Sequence, residues 1–247
     1  MRSRFLLVSA ALTAAVPSAC PAQDNQVTNE YRVTVFPYFP IKGNLSGFSY
    51  LGYVRNPESR YELYYLGVPG VNYAVTKYFQ VWGGFIDIYT NNFDRQDKLE
   101  LRPFGAIKLF VPNKRKLNIY TFTRYEYRQI YDHGTQQWSH IDRVRPRFAV
   151  EFPLTSLEKA WKPKTFYGFT DFEAFYRFDK NTWDTMRLRA ALGYITNHHF
   201  RVELIYHAQF GRPDPTDPFE YNENIIRLNI KIALKKGLFE RVLDPRD

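Results

Sequence analysis

Apolar and polar residues alternate with a period of two along most of the chain, and this alternation predicts long β-strands. The clearest run is 225–235, where Ile226, Leu228, Ile230, Ile232 and Leu234 alternate with Arg227, Asn229, Lys231 and Ala233. Over 200–210, Phe200, Val202, Leu204, Tyr206, Ala208 and Phe210 alternate with Arg201, Glu203, Ile205, His207 and Gln209. Over 186–195, Met186, Leu188, Ala190, Leu192 and Tyr194 alternate with Arg187, Arg189, Ala191 and Gly193. Further back, Phe166, Phe172, Ala174 and Tyr176 oppose Asp171, Glu173 and Arg177. Val144, Phe148, Val150 and Phe152 oppose Arg143, Arg145, Arg147 and Glu151. Leu117, Ile119, Tyr125 and Tyr127 oppose Asn118, Arg124, Glu126 and Arg128, and Leu99, Leu101, Ile107 and Leu109 oppose Glu100, Arg102 and Lys108. Less regular strands fall at about 79–90, 62–75 and 45–54. The total is about ten, within a range of eight to twelve. The segment 31–39 alternates weakly through Val33 and Val35, and fits an extra strand, a lumen plug or a periplasmic extension. The best helical period is confined to 155–161.

Alternation alone fits a soluble sandwich as well as a barrel, since both have one apolar face per strand. Three features favour an antiparallel, up-and-down transmembrane β-barrel. The strands run to ten residues or more, the length a tilted strand needs to cross a bilayer. Several carry Tyr or Phe near the ends of the apolar face, as aromatic girdles would. The polar faces mix Arg with Asp and Glu, which suits a confined lumen where charges need partners. Connections alternate too: short turns near 76–77, 112–115 and 197–198 suit the periplasmic side, and longer polar loops at 91–97, 132–137 and 212–223 suit the exterior. The stretch 153–163 is long on the periplasmic side and breaks this rule. An even strand count beginning at 45–54 satisfies the remaining connections.

The N-terminus places this barrel in an exported protein. Arg2 and Arg4 precede an apolar run over 6–16 that is too short to span a bilayer, and Ser18, Ala19 and Ala22 then offer a cleavage site, the layout of a secretory signal peptide. The expected organisation is a signal peptide at 1–22, an N-terminal segment at 23–44, the barrel at 45–236 and a C-terminal tail at 237–247. Cys20 is the one cysteine and falls within the expected leader. It would be the acylated residue of a lipoprotein, but Pro17-Ser18-Ala19 before it fits that signal poorly. Cleavage after Ala22 leaves no thiol for disulfides or metal thiolates. The formal net charge of +9 comes from basic residues spread through the alternating strands. Nucleic-acid binding, which gathers them on one patch or helix, is therefore not expected. The expected partners are outer-membrane lipid and the barrel-assembly machinery.

The second half resembles the bacterial family catalogued as domain of unknown function 2490. The likeness rests on Arg124-Tyr125-Glu126-Tyr127-Arg128 and Arg143-Val144-Arg145-Pro146-Arg147-Phe148. It continues through Asp171-Phe172-Glu173-Ala174-Phe175, Arg187-Leu188-Arg189, Leu192-Gly193-Tyr194 and Val202-Glu203-Leu204-Ile205-Tyr206, and covers about 99–234. The resemblance implies a Gram-negative outer-membrane setting and supplies no activity.

Catalytic chemistry is not expected. His140 follows Ser139, but neighbours on a strand point to opposite faces and cannot form a nucleophile–base pair. His198 and His199 fall in a predicted turn, and His207 on a polar face with Arg201 and Glu203. No cofactor or metal site is expected. The candidate site is the lumen itself: Arg102, Arg124, Arg128, Arg143, Arg145, Arg147, Arg187, Arg189, Arg201 and Arg227 face inward, with Glu126, Glu151, Asp171, Glu173 and Glu203, and Glu100 beside them, as counter-charges. Paired, these groups make a rigid polar core; an excess of arginine would instead favour a small diffusion channel for anionic solutes. A lipid-modifying outer-membrane enzyme is the third reading.

Overall fold

The computed structural model describes residues 27–113, 116–156 and 158–242. The expected signal peptide and Cys20 lie outside them. The fold is all-β, with strands β1 (Thr28–Lys42), β2 (Leu45–Phe48), β3 (Leu51–Asn56), β4 (Tyr61–Ala74), β5 (Phe79–Asn92), β6 (Lys98–Val111) and β7 (Asn118–Asp132). They continue with β8 (Gln137–Pro153), β9 (Thr165–Arg177), β10 (Thr182–Ile195), β11 (Phe200–Gly211) and β12 (Glu220–Ala233), followed by a single-turn helix α1 (Leu238–Val242).

Each strand pairs with its sequence neighbour in antiparallel register, and β1 pairs with β12 to close the barrel. β2 and β3 lie end to end between β1 and β4 and share one stave, so the barrel has eleven. Their division has a covalent cause. The register sets Pro37 opposite Ser49; Ser49 N–H donates to the Pro37 carbonyl at 2.9 Å, but Pro37 has no N–H to return the bond. Pro69 on β4 is likewise accommodated in an irregularity of the β4–β5 ladder between Val68 and Val71. Gly67 is needed beside it, because a Cβ there would stand 2.0 Å from the Tyr50 carbonyl oxygen.

The eleventh stave is β1, built from the segment whose weak alternation left its role open. It makes the count odd where the connections had suggested an even one. An odd up-and-down barrel must close with its first and last strands parallel, and β1–β12 is that pair, running from Thr28 beside Glu223 to Tyr38 beside Ala233. The start of β1 and the end of β12 therefore lie at opposite ends, here called the far end and the helix end. The connections 57–60, 93–97, 133–136, 178–181 and 212–219 lie at the far end; 43–44, 75–78, 112–117, 154–164 and 196–199 lie at the helix end. The strands extend further than the sequence pattern implied and absorb most of the loops expected at the far end. The stretch 155–161 forms turns within the longest connection and no helix.

Side chains sort by face. The exterior carries Val33, Leu51, Val71, Val81, Ile107, Leu109, Phe148, Phe172, Leu188, Leu192, Leu204 and Ile226, all exposed. Towards the far end this face becomes rich in tyrosines with polar partners. Tyr53 and Tyr64 hydroxyls each donate to Glu62 at 2.8 Å, and Tyr206 donates to Asn224 at 2.5 Å. Tyr89 donates at 2.5 Å to Asp97, and this bond holds the Asp97 carboxyl below its ordinary range. Asp87 departs from the pattern: it shares the outer face with Leu101, and its Oδ1 is buried without a hydrogen-bond partner.

At the helix end the interior is apolar. Gly237, with φ of +82°, turns the chain after β12. α1 then packs Leu238, Phe239 and Val242 against Tyr38, Phe48, Trp82, Ala106 and Ala233. Phe36, Phe104 and Phe122 border this cluster on the lumen side. The tail expected beyond 236 thus closes one end of the barrel with hydrocarbon.

Candidate functional site

Strand alternation sets the lumen chemistry, because each inward position is separated from the next by one outward residue. The register then decides which charges meet. Glu126, fully buried on β7, lies directly opposite Arg143 on β8 and receives Arg143 Nε at 2.5 Å. Arg124 and Arg145 reach its other oxygen at 2.6 and 2.8 Å, and Arg102 stands at 3.8 Å. One carboxylate thus anchors four guanidiniums.

Glu173 on β9 is the second hub. Arg145 and Arg147 contact it at 2.9 and 3.1 Å, and Arg189 at 3.6 Å. Arg145, only 6% exposed, bridges the two hubs and lies 4.2 Å from the Phe175 ring centroid. Arg143 and Arg187 face the same ring at 5.2 and 4.9 Å, so one phenylalanine is a platform for three cations. Asp171 holds Arg189 Nε at 2.5 Å. Glu100 takes Arg128 through a fork of 2.5 and 2.8 Å, and Arg102 at 2.7 Å. That double bond is the geometry in which guanidinium outperforms ammonium.

Nearer the helix end, Glu203 accepts Lys231 Nζ at 2.5 Å, Tyr167 hydroxyl at 2.6 Å and Asn229 at 3.0 Å. Glu151 accepts Asn118 at 2.7 Å and Tyr120 at 3.3 Å. Arg201 lies 4.5 Å from the ring centroid of Phe239 on α1. Arg227 donates to Thr34 at 3.0 Å, and Arg187 to Gln209 at 2.6 Å.

All fifteen lumen residues expected from alternation sit on the inner face. The structure brings Arg102, Arg124, Glu126, Arg143, Arg145, Arg147, Asp171, Glu173 and Arg189 into one network, which Glu100 extends to Arg128. Glu151, Arg201 and Glu203 lie apart from it towards the helix end, and Arg187 and Arg227 make no ion pair among the described residues. Several contributors carried weaker sequence signals. Arg32 and Glu30 form a pair on β1, with Tyr61 donating to Glu30 at 2.6 Å. Lys231 and Tyr167 stood on polar or mixed positions of recognised strands, whereas Phe175 offered no sign that it stacks on arginines.

The histidines do not converge on a nucleophile. Ser139 Oγ faces the Ile130 carbonyl, His140 packs on Tyr127, and His199 Nδ1 lies 2.7 Å from the Ala233 carbonyl. Among the described residues no group of three or more His, Cys, Asp or Glu side chains could hold a metal ion.

The charged residues and the border of the apolar plug enclose a chamber of about 500 Å³. Among the described residues lining it, twelve are cationic and five are carboxylates. Glu100, Glu126 and Glu173 stand behind that lining, so the wall remains cationic even with them included.

These features define a closed β-barrel whose lumen is an ion-paired arginine core. The chain belongs to the family described as Protein of unknown function (DUF2490), which it matches over residues 35–220. The match takes in most of β1, well ahead of the strands on which the sequence resemblance rested. No curated protein matches the chain.

Proposed function

We propose that this protein is an outer-membrane β-barrel of a Gram-negative bacterium, inserted by the barrel-assembly machinery, non-enzymatic, and closed to free diffusion. The observation that carries the membrane reading is the inversion of polarity. Leucine, isoleucine, valine and phenylalanine stand exposed on the outer wall, while Glu126, Glu173, Glu203, Arg145 and Arg189 are buried inside. Water around the barrel would leave this arrangement without its main hydrophobic driving force, whereas lipid solvates the outer face and leaves the charges to pair within. The strands are 12 to 17 residues long where they form whole staves, enough to cross a tilted path through the hydrocarbon.

Fractionation tests the location. The expected result is co-sedimentation with outer-membrane markers, and a gel mobility that shifts on boiling as a folded barrel unfolds. Recovery in the soluble fraction without detergent would overturn the reading.

Closure is supported by α1 and by the two arginine hubs. A barrel of this size has an interior that side chains can fill, and here hydrocarbon occupies the helix end. In planar bilayers the wild-type protein is expected to give no stable conductance steps. Persistent anion-selective steps would favour the diffusion-channel alternative.

A further inference from the structure

We propose that the chamber binds a small soluble anion bearing a phosphate or carboxylate group, held by Arg187 of β10 and Arg227 of β12. This rests on the closed-chamber reading above and names what the chamber takes.

Arg187 and Arg227 differ from most arginines of the two hubs. Each has one hydrogen bond to a neutral side chain, Gln209 and Thr34 respectively. Each faces an aromatic ring: Arg187 lies 4.9 Å from the Phe175 centroid, and Arg227 5.5 and 5.8 Å from Phe36 and Tyr50. Neither forms an ion pair, and both line the chamber. The acids nearby are already engaged: Glu30 by Arg32 and Tyr61, Glu173 by Arg145 and Arg147.

Between these two strands, on β11, stands His207. It is fully buried on the lumen face, in register with Arg189 and Ile225, and neither ring nitrogen has a partner. A neutral imidazole always carries one N–H, so this wall holds a third donor without an acceptor. Buried donors and cations are ordinarily matched, because removing them from water without a partner is costly. The cationic surplus of the lining points the same way. A guanidinium held against a ring by its face keeps its N–H edge available, and that edge suits the paired oxygens of phosphate or carboxylate.

A soluble solute fits better than a lipid headgroup. The wall is hydrogen-bonded around its whole circumference, including the parallel β1–β12 closure, and has no lateral gap for a bilayer lipid. The volume falls in the range of small-molecule sites.

The full-length protein, refolded in zwitterionic detergent, can be titrated with inorganic phosphate at constant ionic strength while ³¹P line width is recorded. A saturable response is expected, one that the same concentration of chloride does not reproduce. Arg187→Gln and Arg227→Gln should each weaken the apparent affinity at least tenfold, and Arg60→Gln, in the exposed Arg60–Asp94 pair, should leave it unchanged. Should a glutamine variant fail to refold, Arg187→Lys keeps the charge, loses the fork, and should still weaken binding. A response that does not saturate, that chloride matches, or that survives the Arg187 and Arg227 substitutions would overturn the proposal. The conductance experiment is separate: a conducting barrel sinks closure without touching phosphate affinity, and absent phosphate binding leaves closure standing.

Discussion

Replacing Glu126 by Gln is expected to destabilise the barrel by roughly 3–5 kcal/mol, the cost of removing one partner from a buried charge cluster. The glutamine keeps the shape and one oxygen acceptor, but it removes the counter-charge shared by Arg124, Arg143 and Arg145, with Arg102 beyond them. None of these arginines can escape by deprotonation. Arg102 retains Glu100 and Arg145 retains Glu173, whereas Arg124 and Arg143 make no other ion pair among the described residues. Glu126 is fully buried, so little solvent screening softens the loss. The measurement is the temperature at which the unboiled, compact band disappears from a gel. A large fall is expected for Glu126→Gln and a smaller one for Glu173→Gln, whose arginines retain Glu126 or Asp171 in part. Asp94→Asn, in an exposed pair at the far end, should leave that temperature unchanged. If Glu126→Gln left it unchanged too, the lumen would have to be wet enough to screen the cluster, and an ion-paired core would no longer describe it.

That cluster shows how far one sequence can be read. A period of two assigns a residue to a face, and the fifteen charged positions were all legible on that basis. Alternation carries no information about height along the barrel or about which strand lies opposite. It therefore could not distinguish Glu126, which meets four arginines, from Glu151, whose hydrogen bonds go to an amide and a phenol. Those meetings depend on register, and register follows from the pairing of whole strands. β1 was hard to read for a different reason. Pro37 and Pro40 interrupt it, and its inward face mixes Glu30, Arg32 and Thr34 with Phe36 and Tyr38. Its strand character comes from pairing with β12 on one side and with β2 and β3 on the other, which local propensity does not record. The closing helix was missed because Leu238, Phe239 and Val242 make less than two turns, too short a stretch for helical periodicity to register.

The outer wall yields the other large effect. Leu204 is 57% exposed and sits between Leu192 of β10 and Leu228 of β12, well inside the apolar band. In a water-soluble barrel, Leu204→Arg would add a solvated charge at an exposed site and change stability by no more than about 0.5 kcal/mol. In a membrane barrel the same change places a cation against lipid near mid-depth and costs roughly 2–4 kcal/mol. It also opposes insertion, because the guanidinium must cross or thin the hydrocarbon before the strand can settle. Leu204→Arg is therefore expected to refold in detergent with near-normal gel mobility, yet fail to become protease-protected and heat-modifiable in phospholipid vesicles. Leu204→Val should behave as wild type in both. Two equal outcomes for Leu204→Arg, in vesicles and in detergent, would place the apolar wall against something other than lipid. Asp87, on the same outer face beside Leu101, limits how strictly that wall excludes charge. It lies nearer the tyrosine-rich far end, with Tyr89 the next outward residue on its strand, and a charge towards an interface costs less than one at mid-depth.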